Sequence, residues 1–219
     1  MYFKNRVDAG RRLAALLRKF RGREGAVYAL PRGGVPLGAE VARELGLPLD
    51  IVTARKIGHP DSPEYAIGAV TEGGELAVNP REVEHLDKRW FDRAVAAQRE
   101  QAQHRRKAYY GKRARPDVAG KLAIVVDDGI ATGLTMEAAL LELRQYRPGH
   151  LVMAVPVAPA DTAGRLARLV DEFISVETPI DYLGAVGAYY ADFEQVSDAE
   201  VIALLDEANR PRGVPKDRE

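Results

Sequence analysis

Residues 121–135 read KLAIVVDDGIATGLT, and this stretch restricts the fold more than any other part of the chain. The apolar run LAIVV is too short for a helix and is unbroken by polar residues, so it reads as a strand buried on both faces. Two adjacent carboxylates, Asp127 and Asp128, follow it directly. Glycine and threonine then crowd the positions before a helical pattern, TMEAALLELRQY. A strand buried on both faces needs helices above and below it, which points to a parallel sheet.

The same rhythm extends to either side. GAVYALP reads as a buried strand, VPLGAEVARELG as a helix stopped by Gly46, and LPLDIVTAR as a second buried strand. Beyond the central stretch, HLVMAVPVA and EFISVE read as strands around the helix DTAGRLARLV. This alternation predicts one α/β domain, a mainly parallel twisted sheet flanked by helices, and 219 residues at 46 % hydrophobic content suit a single core. Leu13, Leu16, Leu17 and Phe20 mark one face of an opening helix. SDAEVIALLDEANR predicts a closing helix with Ser197 and Glu200 at capping-box spacing, before a frayed tail, PRGVPKDRE. Residues 80–115 are charged and rich in Ala and Gln, and predict a long exposed helix inserted between the two halves. Its Trp90, Phe91, Tyr109 and Tyr110 suit packing as well as they suit ligand contact.

Composition narrows the chemistry. Lys and Arg number 32 and Asp and Glu 32, so no global field draws the chain to nucleic acid or a membrane surface, and any anion site is local. The absence of cysteine excludes disulfides and thiolate nucleophiles, and the four histidines lack the HExxH spacing of a zinc-binding helix. The opening residues are too charged for a signal peptide, and no apolar run approaches the roughly 20 residues of a membrane span. A soluble, cytoplasmic protein is the expectation.

In open parallel sheets, ligands sit outside the carboxyl ends of the strands, where Asp127 and Asp128 fall. The next turn, with Ala131, Thr132, Gly133, Leu134 and Thr135, offers free N–H groups, two hydroxyls and a helix N-terminus, a cradle for phosphate. GxxxxGK[ST] is missing and the turn has no lysine, which argues against nucleotide triphosphate hydrolysis. A receiver-type phosphoacceptor domain would need acids at the first strand, and YALPRGG has none. A ligand with a phosphate at one end and hydroxyls a few ångströms away remains, and ribose 5-phosphate matches it.

VVDDGIATGLT resembles the 5-phosphoribosyl-1-pyrophosphate (PRPP) signature of type I phosphoribosyltransferases. The resemblance implies that Asp127 and Asp128 hold the ribose 2- and 3-hydroxyls while Ala131, Thr132, Gly133, Leu134 and Thr135 wrap the 5-phosphate. Arg32, Gly33 and Gly34 in ALPRGGVP resemble the family's pyrophosphate loop, which often carries a cis peptide that a sequence does not display. Arg55 and Lys56 open TARKIGHPDSPEYAIG, which looks like the flexible catalytic loop that closes over pyrophosphate. His59 stands where relatives often carry a cation; it suits a pyrophosphate contact, a proton shuttle or a plain solvated position.

What the resemblance implies is transfer of the 5-phosphoribosyl group to a small-molecule acceptor, usually a base nitrogen, with release of pyrophosphate, within nucleotide metabolism. Magnesium is the implied cofactor, brought mostly by PRPP, with Asp127 or Asp128 as its protein contact. Residues 178–219 are expected to frame the acceptor, where Tyr182, Tyr189, Tyr190 and Phe193 suit stacking on a planar ring or a place in the core. The implied partners are PRPP and the acceptor, with no dedicated nucleic acid and no membrane, and a homodimer left open. LPRGG, ARKIG and VDDGIATG together look closest to predicted phosphoribosyltransferases of unassigned substrate. A sensor of PRPP or nucleotides, keeping the binding loop without catalysis, is the alternative.

Overall fold

The computed structural model describes residues 2–111 and 113–210, so the tail read as frayed lies outside the described residues. A five-stranded sheet in the order β2-β1-β6-β7-β8 forms the centre, from β1 (Gly25–Ala29), β2 (Leu49–Ile51), β6 (Leu122–Val126), β7 (His150–Val157) and β8 (Glu172–Glu177). All four pairings are parallel. The three inner strands are almost wholly buried, whereas edge strand β8 is half-buried along its length.

Successive side chains of a strand point to opposite faces, which gives the sheet two cores. Ile124 and Val126 pack with α1 (Arg6–Leu16), α2 (Gly34–Leu45) and α7 (Asp198–Ala208). Ala123 and Val125 pack with α5 (Leu134–Gln145) and α6 (Ala160–Leu166). Helices on both faces complete the α/β architecture that the sequence predicts. Helix α7 is capped at Ser197, whose hydroxyl accepts from the Glu200 N–H at 3.2 Å. Leu16 departs from expectation: the buried stripe of α1 is Ala9, Gly10, Leu13 and Ala14, continued by Leu17, and Leu16 sits off its edge, 48 % exposed.

Two further expectations need correction. LPLDIVTAR is not one strand, because only Leu49–Ile51 joins the central sheet and Ala54 begins another. The Glu72 carboxylate takes the Thr53 N–H at 2.7 Å and its hydroxyl at 2.6 Å, which carries the chain off the first sheet. The expected catalytic loop is mostly strand: β3 (Ala54–His59) and β4 (Ser62–Thr71) form an antiparallel hairpin around Pro60 and Asp61, with β5 (Leu76–Val78) beside β4. Pro and Asp are turn-forming residues, so a two-residue connection suffices.

Within residues 80–115, a short α3 (Pro80–Val83) precedes α4 (Lys88–Tyr110), which starts at Asp87, whose carboxylate accepts from the Trp90 N–H at 2.7 Å. The helix is less exposed than its composition predicts. Trp90, Phe91, Ala94 and Val95 pack on Ile57, Ile67 and Val70 of the hairpin, and Ala102, Tyr109 and Tyr110 are buried. No helix among the described residues is long and apolar enough to cross a membrane.

Ion pairs tie the hairpin and α4 to the central sheet. Asp50, Glu72 and Glu142 are buried carboxylates from β2, the residue after β4, and α5. Arg106 of α4 meets Asp50 at 3.0 Å. Arg115 bridges Glu72 at 3.0 Å and Glu142 at 3.2 Å. Burial, and then the charge of Glu142, push the Glu72 carboxyl up to about 7, although Thr53, Arg106 and Arg115 pull the other way.

Candidate active site

The carboxyl ends of β1 and β6 and the start of β3 open into one cleft of about 730 Å³. Asp127, Asp128 and Thr135 line its floor, Gly33 stands beside them, and Arg55, Lys56 and His59 come from the hairpin. Helix α4 supplies the remaining wall through Trp90, Ala94, Gln98 and Arg105. Strand-end geometry therefore gathers residues that lie far apart in the chain.

The two aspartates occupy different surroundings. Asp127 Oδ1 accepts the Asp128 N–H at 2.8 Å. Asp128 Oδ2 accepts from Arg6 Nε at 2.9 Å and meets Arg6 Nη2 at 2.8 Å, with both side chains little exposed. Arg6 is held in turn by the Glu194 carbonyl at 2.6 Å and lies 3.8 Å over the Phe193 ring. Burial, followed by the neighbouring Asp128 charge, pushes the Asp127 carboxyl well up. Burial raises Asp128 too, and Arg6 opposes that rise. Arg6 has no motif around it in the sequence, and only its place at the first turn of α1 brings it here.

Turn 131–135 has the form its composition predicts. Gly133 adopts φ 80°, a left-handed conformation that L side chains rarely take, and starts α5. Among the described residues, the backbone N–H groups of residues 131–136 donate to no protein acceptor, so they are free for an anion. The turn is braced from behind. Thr162 Oγ1 donates to the Ala131 carbonyl at 3.2 Å, and Arg165 donates to the Thr132 carbonyl at 2.8 Å. Ala131 and Thr132 are exposed, Thr135 is half-buried, and Gly133 and Leu134 are buried.

On the β1 side, the Pro31–Arg32 peptide bond is cis. A Cβ at position 33 would overlap the Asp128 carboxylate, and one at position 34 would lie 2.8 Å from the Val126 carbonyl, so glycine is what lets this turn pack against the acids. The Arg32 side chain is engaged by a carboxylate: its Nη1 meets Asp198 Oδ1 at 3.3 Å. Arg55 Nε donates to Gln98 at 3.2 Å, Lys56 is exposed, and His59 Nδ1 accepts from the Asp61 N–H at 3.2 Å.

The C-terminal aromatics lie elsewhere. Tyr189 and Tyr190 are 1 % and 4 % exposed and sit in the core against Tyr2 and Phe3, with no free face for a ring. Tyr190 still touches the site, since its hydroxyl donates to the Asp128 carbonyl at 2.5 Å. Phe193 is covered by Arg6, and Tyr182 stacks on Tyr189 with ring centroids 5.4 Å apart. Tyr182 borders an open depression, shared with Ala131, Asp161 and Ile180.

A parallel sheet with a strand-end acid pair, a free-amide turn and a cationic hairpin is the arrangement this chain brings to its cleft. The phosphoribosyl transferase domain family matches residues 2–192, and the chain belongs to that family. Two Mycobacterium tuberculosis proteins, from strains CDC 1551 and H37Rv and each named "Putative phosphoribosyl transferase", are 42 % identical to it over 210 residues. The match covers 95 % of this chain and 47 % of each relative, so the chain spans about half their length. The crystal structure of TT1426 from Thermus thermophilus superposes with a TM-score of 0.78 at 43 % identity, over 94 % of this chain and 99 % of that one. A hypothetical protein from Neisseria gonorrhoeae, solved with bound ppGpp, shares the fold at a TM-score of 0.51 and 16 % identity, over 94 % of this chain and 98 % of that one.

Proposed function

We propose that the chain transfers the 5-phosphoribosyl group from PRPP to a small-molecule acceptor, with pyrophosphate leaving from C1 of the ribose. One observation carries this reading: the acid pair, Thr135 of the turn of free amides and the cations Arg55 and Lys56 border a single cleft. In it, Asp127 and Asp128 accept the ribose hydroxyls and stabilise positive charge developing at the sugar. The amides and hydroxyls of Ala131, Thr132, Gly133, Leu134 and Thr135 take the 5-phosphate. Arg32, the backbone at Gly33 and Gly34, Arg55 and Lys56 neutralise the leaving pyrophosphate, with His59 at the hairpin tip as a further donor.

Arg6 holds Asp128 in place and opposes the rise of its pKa. Trp90 and its neighbours on α4 form a wall that keeps water from the reacting carbon. We assign the acceptor to the side of Tyr182 and residues 178–196, with Tyr189, Tyr190 and Phe193 supporting it from beneath.

A magnesium ion fits the donors present. Among the described residues no cluster of three or more metal-ligating side chains exists, and the carboxylates of Asp127 and Asp128 suit an ion that keeps several waters and binds mainly substrate phosphates. When bound it supplies positive charge to the pyrophosphate oxygens. We place the reaction in cytoplasmic nucleotide metabolism.

The test is pyrophosphate release from PRPP across a panel of purines, pyrimidines and small aromatic acids. Release with one class of acceptor supports the transferase. PRPP binding with silence throughout the panel favours a sensor instead.

A further inference from the structure

Helix α4 brings a second set of groups to the cleft. Arg105 and Tyr109 lie one turn apart on it, and with Arg55 and Asp198 they border a side depression of about 280 Å³. Arg55 and Arg105 line the main cleft as well, so the two spaces share a wall. Burial and then the nearby Arg105 charge both disfavour the charged form of Arg55. Among the described residues neither arginine has a carboxylate within ion-pair distance. Two like charges held together in this way call for an anion.

One carboxylate stands next to them. Asp198 Oδ1 accepts from the Tyr109 hydroxyl at 2.5 Å and meets Arg32 Nη1 at 3.3 Å, and the charges of Arg32 and Arg105 help hold its pKa down after the Tyr109 hydrogen bond. Its side chain is 66 % exposed. An exposed pair of this kind contributes little, so water or a better anion can replace it.

We propose that Asp198 is a displaceable internal counter-ion in an anion site built by Arg32, Arg55, Arg105 and the Tyr109 hydroxyl, and that the diphosphate of the donor takes its place. The inference rests on the transferase reading above and adds Arg105 and Tyr109 of the inserted helix to the binding residues. A diphosphate concentrates more charge than one carboxylate, and arginine forks match its oxygens in pairs. No covalent step is involved, only exchange of one anion for another.

Calorimetric titration with inorganic pyrophosphate and magnesium, alongside PRPP, tests the idea on the full chain. Arg105→Met is expected to weaken pyrophosphate binding about tenfold. Tyr109→Phe should weaken it less. Asp198→Asn is expected to strengthen it roughly threefold, a change of opposite sign that a merely structural role does not produce. Asp117→Asn, in the turn that precedes β6, controls for net charge and should leave affinity unchanged. Melting temperatures within a few degrees of the parent show that each variant folds.

Unchanged affinity in both Arg105→Met and Asp198→Asn overturns the proposal, as does an equal gain in Asp117→Asn. Asp127→Asn separates this inference from the reading it rests on: it should weaken PRPP, which carries the ribose hydroxyls, far more than inorganic pyrophosphate, which has none. A wild-type chain that binds PRPP and not pyrophosphate overturns the counter-ion alone. One that binds neither overturns the transferase reading as well.

Discussion

The central sheet and the hairpin with helix α4 face each other across the cleft, yet different forces hold them. Every residue of β6 is buried, and the side chains on its two faces enter two separate apolar cores. In β3 only Ile57 is buried. That half meets α5 through one small apolar cluster, Ala69 and Ala77 against Leu134 and Ala138, and is fastened further by Arg106 and Arg115 to Asp50, Glu72 and Glu142, and by Thr53 to Glu72. The acid pair and the 131–135 turn thus stand on the part fixed by apolar burial. Arg55 and Lys56 stand on the part that ion pairs help tie down, where strength depends on partners and on pH.

The comparison can be broken most severely at Arg115. Arg115→Met leaves Glu72 and Glu142 together without their shared cation, and a loss of about 3–5 kcal/mol is expected in urea unfolding. Hydrogen exchange should quicken first in β3, β4 and α4 while β6 and β7 stay protected. Uniform quickening would sink the division into two differently held halves.

Next in size, Asp127→Asn on the apolar-fixed side should cost about a hundredfold in PRPP affinity, near 2.7 kcal/mol, with no fall in melting temperature. Its carboxyl is already pushed up by burial, so the fold loses nothing when that charge is removed. PRPP bound equally well by the variant would remove Asp127 from the site.

A smaller effect is expected from Arg6→Met. Arg6 opposes the rise of the Asp128 pKa, so without it the carboxylate forms only at higher pH. PRPP binding, followed by calorimetry across a pH series, should therefore begin at higher pH in the variant. An edge at unchanged pH would show that Arg6 does not tune Asp128.

Glu72 sharpens the comparison through pH alone. Its carboxyl rises from 4.5 unfolded to about 7 folded, so the native state binds its proton more tightly than the unfolded chain. That contribution to stability is fully present below pH 4.5 and is lost as pH climbs through 7. Glu72→Gln should flatten the stability profile over this window, and a slope equal to the parent's would count against the assignment. The least effect belongs to Leu16→Ser, within about 0.5 kcal/mol, since Leu16 is 48 % exposed.

How much was legible follows the same division. Buried runs such as LAIVV and HLVMAVPV, the cap at Ser197 and the glycine-rich turn after Asp128 announce themselves through contiguous residues. The hairpin did not, because ARKIGHPDSPEYAIG has too few buried positions to display a strand period. Helix α4 was visible as a helix, but its buried face was hidden among charged residues whose partners lie on other elements. Tyr189 and Tyr190 looked available to a ligand because aromatic side chains serve cores and ring stacking equally well.

The sequence by itself determined the alternating strands and helices, the strand-end acids and the glycine turn that opens α5. Each depends on neighbours within a few positions, where the spacing of apolar residues and the conformational freedom of glycine act locally. Only the tertiary structure decided that Arg6 grips Asp128 across 122 positions, that Asp198 meets both Tyr109 and Arg32, and that α4 walls the cleft. Those contacts arise when the sheet's two faces are covered and the chain's distant turns converge. Chain closure sets that geometry, and no local pattern encodes it.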